Sequence, residues 1–245
     1  MNNGKLITIG IVVLLSILII PFLIISDKSS RISNAKQVGF FKTNKTDDII
    51  VLENHGFKVF YSKSKKCPNY IVATLTAKGV KNRLKRISYF KTDKRIDRKY
   101  QQTNRMYRAK PHIYDKGHLF PNALADEDKM TQKDSFLLSN VAPQHYKLNR
   151  YSWKTLERLV SQTIIKNGKG SVITGCYGSL GKLNTINIPE RFFKILITNG
   201  TITCWDMSND DKTKSFLVKS KRYKVDVDYL YDKYPELEDI VQTLL

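Results

Sequence analysis

The stretch that decides the fold is DKGHLFP at residues 115–121, followed by LSNVAPQ at residues 138–144. Beyond these motifs lie LN at residues 148–149, Trp153 and Glu157. Together they bring a candidate base, a cation, and amide and carboxylate oxygens suited to a hard metal ion into one short region. Metal-assisted hydrolysis of a phosphodiester requires these groups.

His118 is the candidate general base, because a neutral imidazole can take a proton from water near neutral pH. Lys116, two positions earlier, would present positive charge to a phosphate and favour the neutral form of His118. The two side chains share one pocket only if residues 115–118 are extended or irregular. Gly117 supplies backbone freedom for such a conformation.

Two oxygen-bearing side chains indicate a site for a hard cation. The apolar spacing predicts an amphipathic helix over residues 151–165 that starts near Asn149, and Glu157 lies on this helix. The two residues are separated by about 80° around an α-helix, so they can share one side of it. Retained waters would complete the coordination of Mg²⁺. The structural alternatives are that Asn149 caps the helix and Glu157 is a solvated helix residue.

The chain is strongly basic, with 42 Lys and Arg against 22 Asp and Glu, a formal net charge of +20. Such a field concentrates polyanions, so nucleic acid is the leading partner class. A Lys-rich composition that gives only a solvated surface is the alternative. The apolar content of 41% is enough for a folded core and excludes disorder throughout the chain.

Residues 6–25 form an uncharged apolar run long enough to cross a membrane as a helix. We expect an uncleaved anchor in preference to a cleaved signal that leads to export, because no small-residue cleavage site follows the run. Basic residues on both sides leave the orientation open, with a weak preference for a cytoplasmic C-terminal domain. The predicted organisation is an anchor or signal over residues 1–28, a basic tether over 29–48, and one domain over 49–245.

Apolar alternation predicts an early hairpin from residues 57–61 and 70–76. Residues 77–111 are dense in Lys and Arg without a clean period and are predicted as a long loop region. Strands at 192–198 and 201–205, joined by Asn-Gly, form a second predicted hairpin, and the chain is predicted to end in a helix over 237–245.

Cys67, Cys176 and Cys204 lack C-x-x-C spacing, which argues against a structural zinc site. Two alternatives are open. Cys176 and Cys204 form a disulfide in an oxidising compartment, or all three thiols are reduced.

In order and spacing, these motifs resemble the signature of the DNA/RNA non-specific endonucleases, a ββα-metal (His-Me finger) family. Residues 115–121 match D-R-G-H-x-x-P, and residues 138–157 match L-S-N-x-x-P-Q, L-N, W and L-E. Weaker matches extend the resemblance over residues 55–235. The resemblance implies an α+β fold whose central, mostly antiparallel sheet is flanked by helices and preceded here by the apolar N-terminal helix.

The resemblance also implies a role for each site residue. His118 is the general base, Asn149 the direct ligand of Mg²⁺, with Mn²⁺ as a substitute, Glu157 the holder of metal-bound water, and Asn140 a support of the site. Arg86 is a candidate for the family's additional phosphate-binding arginine, although its offset from the motif is uncertain. The products would carry 5′-phosphate and 3′-hydroxyl ends.

The chain departs from the family pattern at Lys116, where the family has arginine. Lysine keeps the charge but loses the two-pronged hydrogen bonding of a guanidinium, so we expect weaker phosphate positioning. We predict a Mg²⁺-dependent endonuclease of low sequence specificity that acts on DNA and/or RNA. The rival is a catalytically weakened, membrane-attached nucleic-acid-binding or uptake protein. A structural membrane protein that binds lipid headgroups is least favoured, and homodimerisation is open.

Overall fold

The computed structural model describes residues 47–245, apart from residues 83, 88, 109, 126, 127, 211 and 213–222. The predicted anchor over residues 6–25 and almost all of the predicted tether lie outside the described residues. Within the described part of the chain, no helix is long and apolar enough to cross a membrane.

Antiparallel strand pairs form the framework of the described chain. In chain order the strands are β1 (Ile49–Asn54), β2 (Phe57–Ser62), β3 (Cys67–Thr76), β4 (Tyr114–His118), β5 (Val141–His145), β6 (Lys169–Tyr177), β7 (Lys182–Leu183), β8 (Ile186–Asn187), β9 (Arg191–Thr198), β10 (Thr201–Ser208) and β11 (Lys224–Val225). The central sheet has the order β1-β2-β3-β6-β9-β10-β11, and every neighbouring pair in it is antiparallel. Two-stranded sheets of β4-β5 and β7-β8 lie outside it.

Helices cover the central sheet on both faces. The α-helices of the described chain are α1 (Ala77–Lys81), α2 (Lys129–Ser135), α3 (Lys154–Asn167), α4 (Asp228–Tyr231) and α5 (Glu236–Leu244). Trp153, Leu156 and Val160 join the apolar cluster on the α3 face, whereas Leu237 and Ile240 of α5 join a separate cluster on the other. This arrangement confirms the predicted α+β fold, because each face of the sheet buries the apolar stripe of a helix.

One long excursion separates neighbouring strands of the sheet. β3 pairs with β6 from Tyr70 opposite Gly175 to Thr76 opposite Lys169, so residues 77–168 leave the sheet and return to it. The excursion contains β4, β5 and α3 in that order. This strand-strand-helix unit carries both sequence motifs.

The two predicted hairpins are present as β2-β3 and β9-β10. Asn199 and Gly200 both have positive φ, 50° and 69°, as the tight turn of the second hairpin requires. The last helix is also confirmed. Strand β1 was not predicted, because residues 49–54 lack the polar alternation of a half-exposed strand.

All three cysteines are buried free thiols. Cys67 and Cys176 lie in the cluster on the α3 face, and burial together with a hydrogen bond to Cys67 holds the pKa of the Cys176 thiol above its usual range. Cys204 belongs to the cluster on the opposite face. The Cys176–Cys204 disulfide alternative is therefore wrong, because the sheet separates the two side chains.

Candidate active site

Strands β4 and β5 place the first motif against the second. They pair antiparallel, with Asp115 opposite Gln144 and His118 opposite Val141. Lys116 and His118 are two residues apart on an extended strand, so their side chains leave the same face. The extended conformation that the sequence analysis required for a shared pocket is confirmed.

Gly117 is needed for close approach between these strands. A Cβ added to Gly117 would lie 2.5 Å from Cβ and 2.6 Å from Oε1 of the buried Gln144. Gly117 does not have positive φ. The expectation that it supplies backbone freedom is therefore wrong: any side chain at this position would push the motif strands apart.

Asn140 joins the chain that follows His118 to the second motif. Its Oδ1 accepts a hydrogen bond from the Phe120 amide at 2.9 Å, and its Nδ2 donates to the carbonyl oxygens of Phe120 at 2.9 Å and Ser135 at 2.8 Å. The side chain is completely buried. Both ends of the amide are thus engaged within the protein, so Asn140 is suited to positioning the motif and not to contacting a reactant.

His118 packs against two phenylalanine rings that also contact each other. Its ring centroid is 4.9 Å from that of Phe90 and 5.1 Å from that of Phe136, and its Nε2 is buried without a hydrogen-bond partner among the described residues. Burial, and next the charge of Arg86, lower the pKa of His118 to about 3. The imidazole is consequently neutral at physiological pH, the protonation state that a general base needs.

Arg86 reaches this site from the basic segment upstream. Its guanidinium carbon lies 5.7 Å from the centroid of the Phe136 ring, which contacts His118. The Arg86 charge lowers the pKa of both His118 and Glu157, among the other influences on each group. Arg86 is exposed, and it lies near enough to His118 and Glu157 for its charge to act on both groups.

Asn149 is held by Asp115 of β4, which also forms an ion pair with Arg150. Its Nδ2 donates to Asp115 Oδ2 at 2.9 Å, while Arg150 donates from Nε to Oδ2 at 2.8 Å and from Nη2 to Oδ1 at 2.7 Å. Burial raises the pKa of Asp115, but the hydrogen bonds from Arg150 and Asn149 outweigh it and hold the pKa below its usual range. The anionic Asp115 thus engages the amide nitrogen of Asn149 and leaves its oxygen as the end available to a cation.

The helix around Asn149 differs from the expectation. The chain is π-helical over Leu148–Trp153 and continues directly into α3, so Asn149 lies inside the helical segment and does not cap it. A π-turn is wider than an α-turn, and therefore the angle between Asn149 and Glu157 does not follow from a regular α-helix. Short π-helical turns inside α-helices occur frequently at functional sites.

Glu157 faces a buried lysine that the sequence analysis did not select. Burial raises the pKa of Glu157, whereas the charge of Lys194 and then that of Arg86 oppose the increase. Lys194, on β9, is completely buried and donates from Nζ to Thr174 Oγ1 at 2.6 Å. Burial lowers the pKa of Lys194, and Glu157 opposes that shift. A lysine inside the apolar run of residues 192–198 was the available signal for this pair.

Lys116 lies beside the same aromatic group as His118. Its Nζ is 5.3 Å from the centroid of Phe90 and 5.4 Å from that of Tyr107. Burial, and then the nearby charge of Arg108, lower the pKa of Lys116. Because the ammonium is partly desolvated and already close to another cation, it is well placed to bind an anion.

The residues present fit a hard cation better than a soft one. In the described chain, no group of three or more His, Cys, Asp and Glu side chains is arranged to hold a metal ion. A cation at this site would therefore depend on the amide oxygen of Asn149, on waters and on Glu157. Mg²⁺ commonly binds in this way, with few protein ligands and several retained waters.

Strands β4 and β5 followed by helix α3 form a ββα unit, which carries a neutral imidazole, two cations and an oriented amide. Residues 35–237 match the sequence model of the family described as DNA/RNA non-specific endonuclease. The chain belongs to this family, and the family assignment supports an endonuclease function.

Individual relatives are distant, and the share of the chain that they cover differs. A nuclease of Nostoc sp. is 25% identical over 228 residues, which cover 84% of this chain and 80% of that protein. Human mitochondrial endonuclease G is 32% identical over 126 residues, but these cover only 44% of this chain and 40% of that protein. The crystal structure of an EndoG/EndoGI complex matches with a TM-score of 0.64 at 22% identity, over 74% of this chain and 82% of that chain. At that identity, the structural match shows a shared fold.

Proposed function

We propose that the protein is a Mg²⁺-dependent, sequence-non-specific endonuclease that hydrolyses phosphodiester bonds in DNA and/or RNA. The observation that carries the proposal is strand β4, which places Lys116 and His118 on one face within the part of the chain that matches the endonuclease family. Arg86, 5.7 Å from the Phe136 ring that contacts His118, would hold a bound phosphate near that base. Mn²⁺ would be a substitute cation.

Each side chain has a defined task in this proposal. His118 takes a proton from the attacking water, the water oxygen forms a bond to phosphorus while the bond to the 3′-oxygen breaks, and the departing 3′-oxygen takes a proton from solvent water. Lys116 and Arg86 bind the phosphate and offset its developing charge. When bound through Asn149 and Glu157, Mg²⁺ would polarise the phosphate and offset the negative charge that develops during cleavage. The products carry 5′-phosphate and 3′-hydroxyl ends.

Asn149 and Glu157 would hold the cation directly and through water, and Asp115 fixes the orientation of the Asn149 amide. Low sequence specificity follows from the groups involved, because they address phosphate and metal and not the edges of bases. The rival, a weakened nucleic-acid-binding protein, is not favoured, since the base, the cations and the amide ligand are all present. The feature that would support this rival is Lys116, which replaces the arginine of the family pattern.

The decisive experiment measures cleavage of plasmid DNA and of RNA by the full-length chain, with Mg²⁺ and with a chelator. His118→Ala is expected to lower the rate about 10²- to 10⁴-fold, the usual contribution of a general base. His55→Ala is the matched control, because His55 is exposed and pairs with Asp134 outside the site. Intact substrate with the wild-type protein across several divalent ions would overturn the proposal, and undiminished cleavage by His118→Ala would overturn the assignment of the base.

The location of the enzyme is a separate proposal. We propose that residues 6–25 attach it to a membrane, or direct its export if the segment is cleaved, because the run is apolar and long enough to span. Protease protection of residues 49–245 in intact cells would distinguish the two sides of the membrane. Release of the domain into the medium without residues 6–25 would show that the segment is a signal.

A further inference from the structure

A cavity of about 370 Å³ lies beside the proposed base and is only partly used by the proposed function. It is lined by Tyr89, Phe90, Asn104, Tyr107, Arg108 and Lys116. Aromatic rings and cations thus meet in one concave site. In a larger cavity of about 920 Å³, by contrast, charged side chains such as Asp93 and Arg95 pair with each other at 2.6 Å.

The smaller cavity adjoins the proposed active site through Phe90. One side of the Phe90 ring system packs on His118, with ring centroids 4.9 Å apart, and Lys116 Nζ lies 5.3 Å from the Phe90 centroid. Lys116 therefore belongs both to the cavity and to the phosphate-binding group. A ligand in the cavity would be a direct neighbour of the scissile phosphate.

The deeper walls of the cavity are fixed in place. Asn104 Nδ2 donates to the carbonyl oxygen of Phe90 at 2.9 Å, and the Tyr107 hydroxyl donates to Gln102 Oε1 at 2.8 Å. Gln102 is buried and donates from Nε2 to the carbonyl oxygen of Val141, on β5, at 2.8 Å. Tyr107 is thus linked through Gln102 to strand β5, and the backbone of Phe90 is held by Asn104, so a ligand would meet two preformed walls.

Tyr89 forms the open wall, with 57% of its surface exposed. Such a large exposed ring next to the cations Arg108 and Lys116 has the composition of a surface that binds single-stranded nucleic acid, where bases stack on aromatic rings and a basic groove follows the phosphates. The cavity volume lies near the lower end of the range of about 300–1,000 Å³ for small-ligand sites, which suits one nucleotide and not a duplex.

We propose that this cavity binds an unpaired nucleotide of the substrate strand, adjacent to the scissile phosphate. The base stacks on Tyr89, and the phosphate of that nucleotide contacts Arg108 and Lys116. A base inside a duplex is stacked on its neighbours and does not offer its face, so the cavity favours single-stranded or locally unpaired substrate. This inference rests on the proposed function, of which it names the preferred form of the substrate.

The first test compares cleavage by the full-length wild type and Tyr89→Ala on one oligonucleotide, alone and in a duplex. Stacking of one base contributes about 1–3 kcal/mol, so kcat/KM on the single strand should fall about 5- to 150-fold, with duplex cleavage within about twofold of wild type. Tyr229→Ala is the matched control, because Tyr229 is also exposed but belongs to α4. At both tyrosines a lysine Nζ lies 5.1 Å from the ring centroid: Lys233 at Tyr229 and Lys91 at Tyr89. Equal losses on both substrates, or no loss, would overturn the inference.

The second test measures binding in a chelator, where no cleavage is expected. Wild type should bind a labelled single strand more tightly than Tyr89→Ala, and the difference should disappear when the nucleotides of the strand lack bases. If the wild type cleaves nothing with any divalent ion but this difference is found, the proposed function fails and the cavity assignment stands. If the wild type cleaves but the effect of Tyr89→Ala is the same on the strand without bases, the cavity assignment fails and the proposed function stands.

Discussion

Strand β9 carries two cations that pair with carboxylates, one on each face of the sheet, and the two pairs differ in whether their side chains contact each other directly. Arg191 contacts Asp206 directly, with Nε 2.6 Å from Oδ2, and the Tyr177 hydroxyl donates to the same oxygen at 3.1 Å. Lys194 and Glu157 influence each other's pKa, but no direct ion pair joins them among the described residues. The first pair is a direct salt bridge, although Asp206 Oδ1 is buried without a hydrogen-bond partner among the described residues. In the second pair, no direct ion pair within the described chain engages the Glu157 carboxylate, which leaves it available to a ligand.

The largest expected effect concerns the pH dependence of stability on the α3 side. The folded protein lowers the pKa of His118 to about 3, well below the value of about 6.5 in an unfolded chain. The neutral imidazole is therefore favoured by folding, and its stabilising contribution is complete above pH ~6.5 and lost as the pH falls toward ~3. We expect a loss of roughly 1.4 kcal/mol for each pH unit in that window, from this group alone.

Urea unfolding in a chelator at several pH values between 7 and 4 measures this effect. His118→Phe should keep its stability better than the wild type as the pH falls, because phenylalanine cannot be protonated. Identical acid sensitivity of the two proteins would show that the imidazole is not desolvated in the folded state.

The Arg191–Asp206 salt bridge on the other face of the sheet should contribute to stability and not to activity. Arg191→Met leaves Asp206 buried without its cation, and we expect a loss of about 2–3 kcal/mol, less than for a fully buried pair because the guanidinium is partly exposed. Cleavage per folded molecule should not change. Thermal unfolding and a cleavage assay on the same sample measure the two quantities, and a loss of activity without a loss of stability would contradict the comparison.

Lys194→Met should affect activity more than stability. The substitution removes the desolvation cost of a buried ammonium but leaves Glu157 without its cation, so we expect a loss of stability smaller than that of Arg191→Met. Without the Lys194 charge, the pKa of Glu157 rises further, so kcat/KM near neutral pH should fall about tenfold and the acidic limb of the pH profile should move to higher pH. Lys194→Arg, which keeps the charge, should preserve the profile. An unchanged profile in Lys194→Met would remove Lys194 from any role in positioning the charge of Glu157.

The smallest expected effect is at Lys116. Lys116→Arg restores the guanidinium of the family pattern and should raise kcat/KM by about two- to fivefold through two-pronged phosphate binding. The comparison of wild type and variant on the same plasmid measures it. A decrease would mean that the space between Phe90 and Tyr107 is shaped for a lysine.

Much of the site could be predicted because it is encoded locally. Extended strands place residues two apart on one face, so Lys116 and His118 follow from their spacing once residues 114–118 form a strand. The role of Gly117 was not predictable in the same way. It depends on Gln144 in the partner strand, and the distance between two strands cannot be read from either one.

Apolar periodicity and turn residues in the sequence determined the two hairpins and the last helix, since these are local properties of the chain. The spacing of the motif residues determined the resemblance to the family, and that resemblance implied the α+β fold. Only the tertiary structure brought Arg86 to His118 and Glu157, placed Lys194 under Glu157, and put Cys176 and Cys204 on opposite faces. Each of these placements involves residues that are far apart in the chain. They depend on the folded sheet, in which β3 and β6 are neighbours although residues 77–168 separate them in the sequence. Their charges act on one another because burial has removed the water that would otherwise screen them.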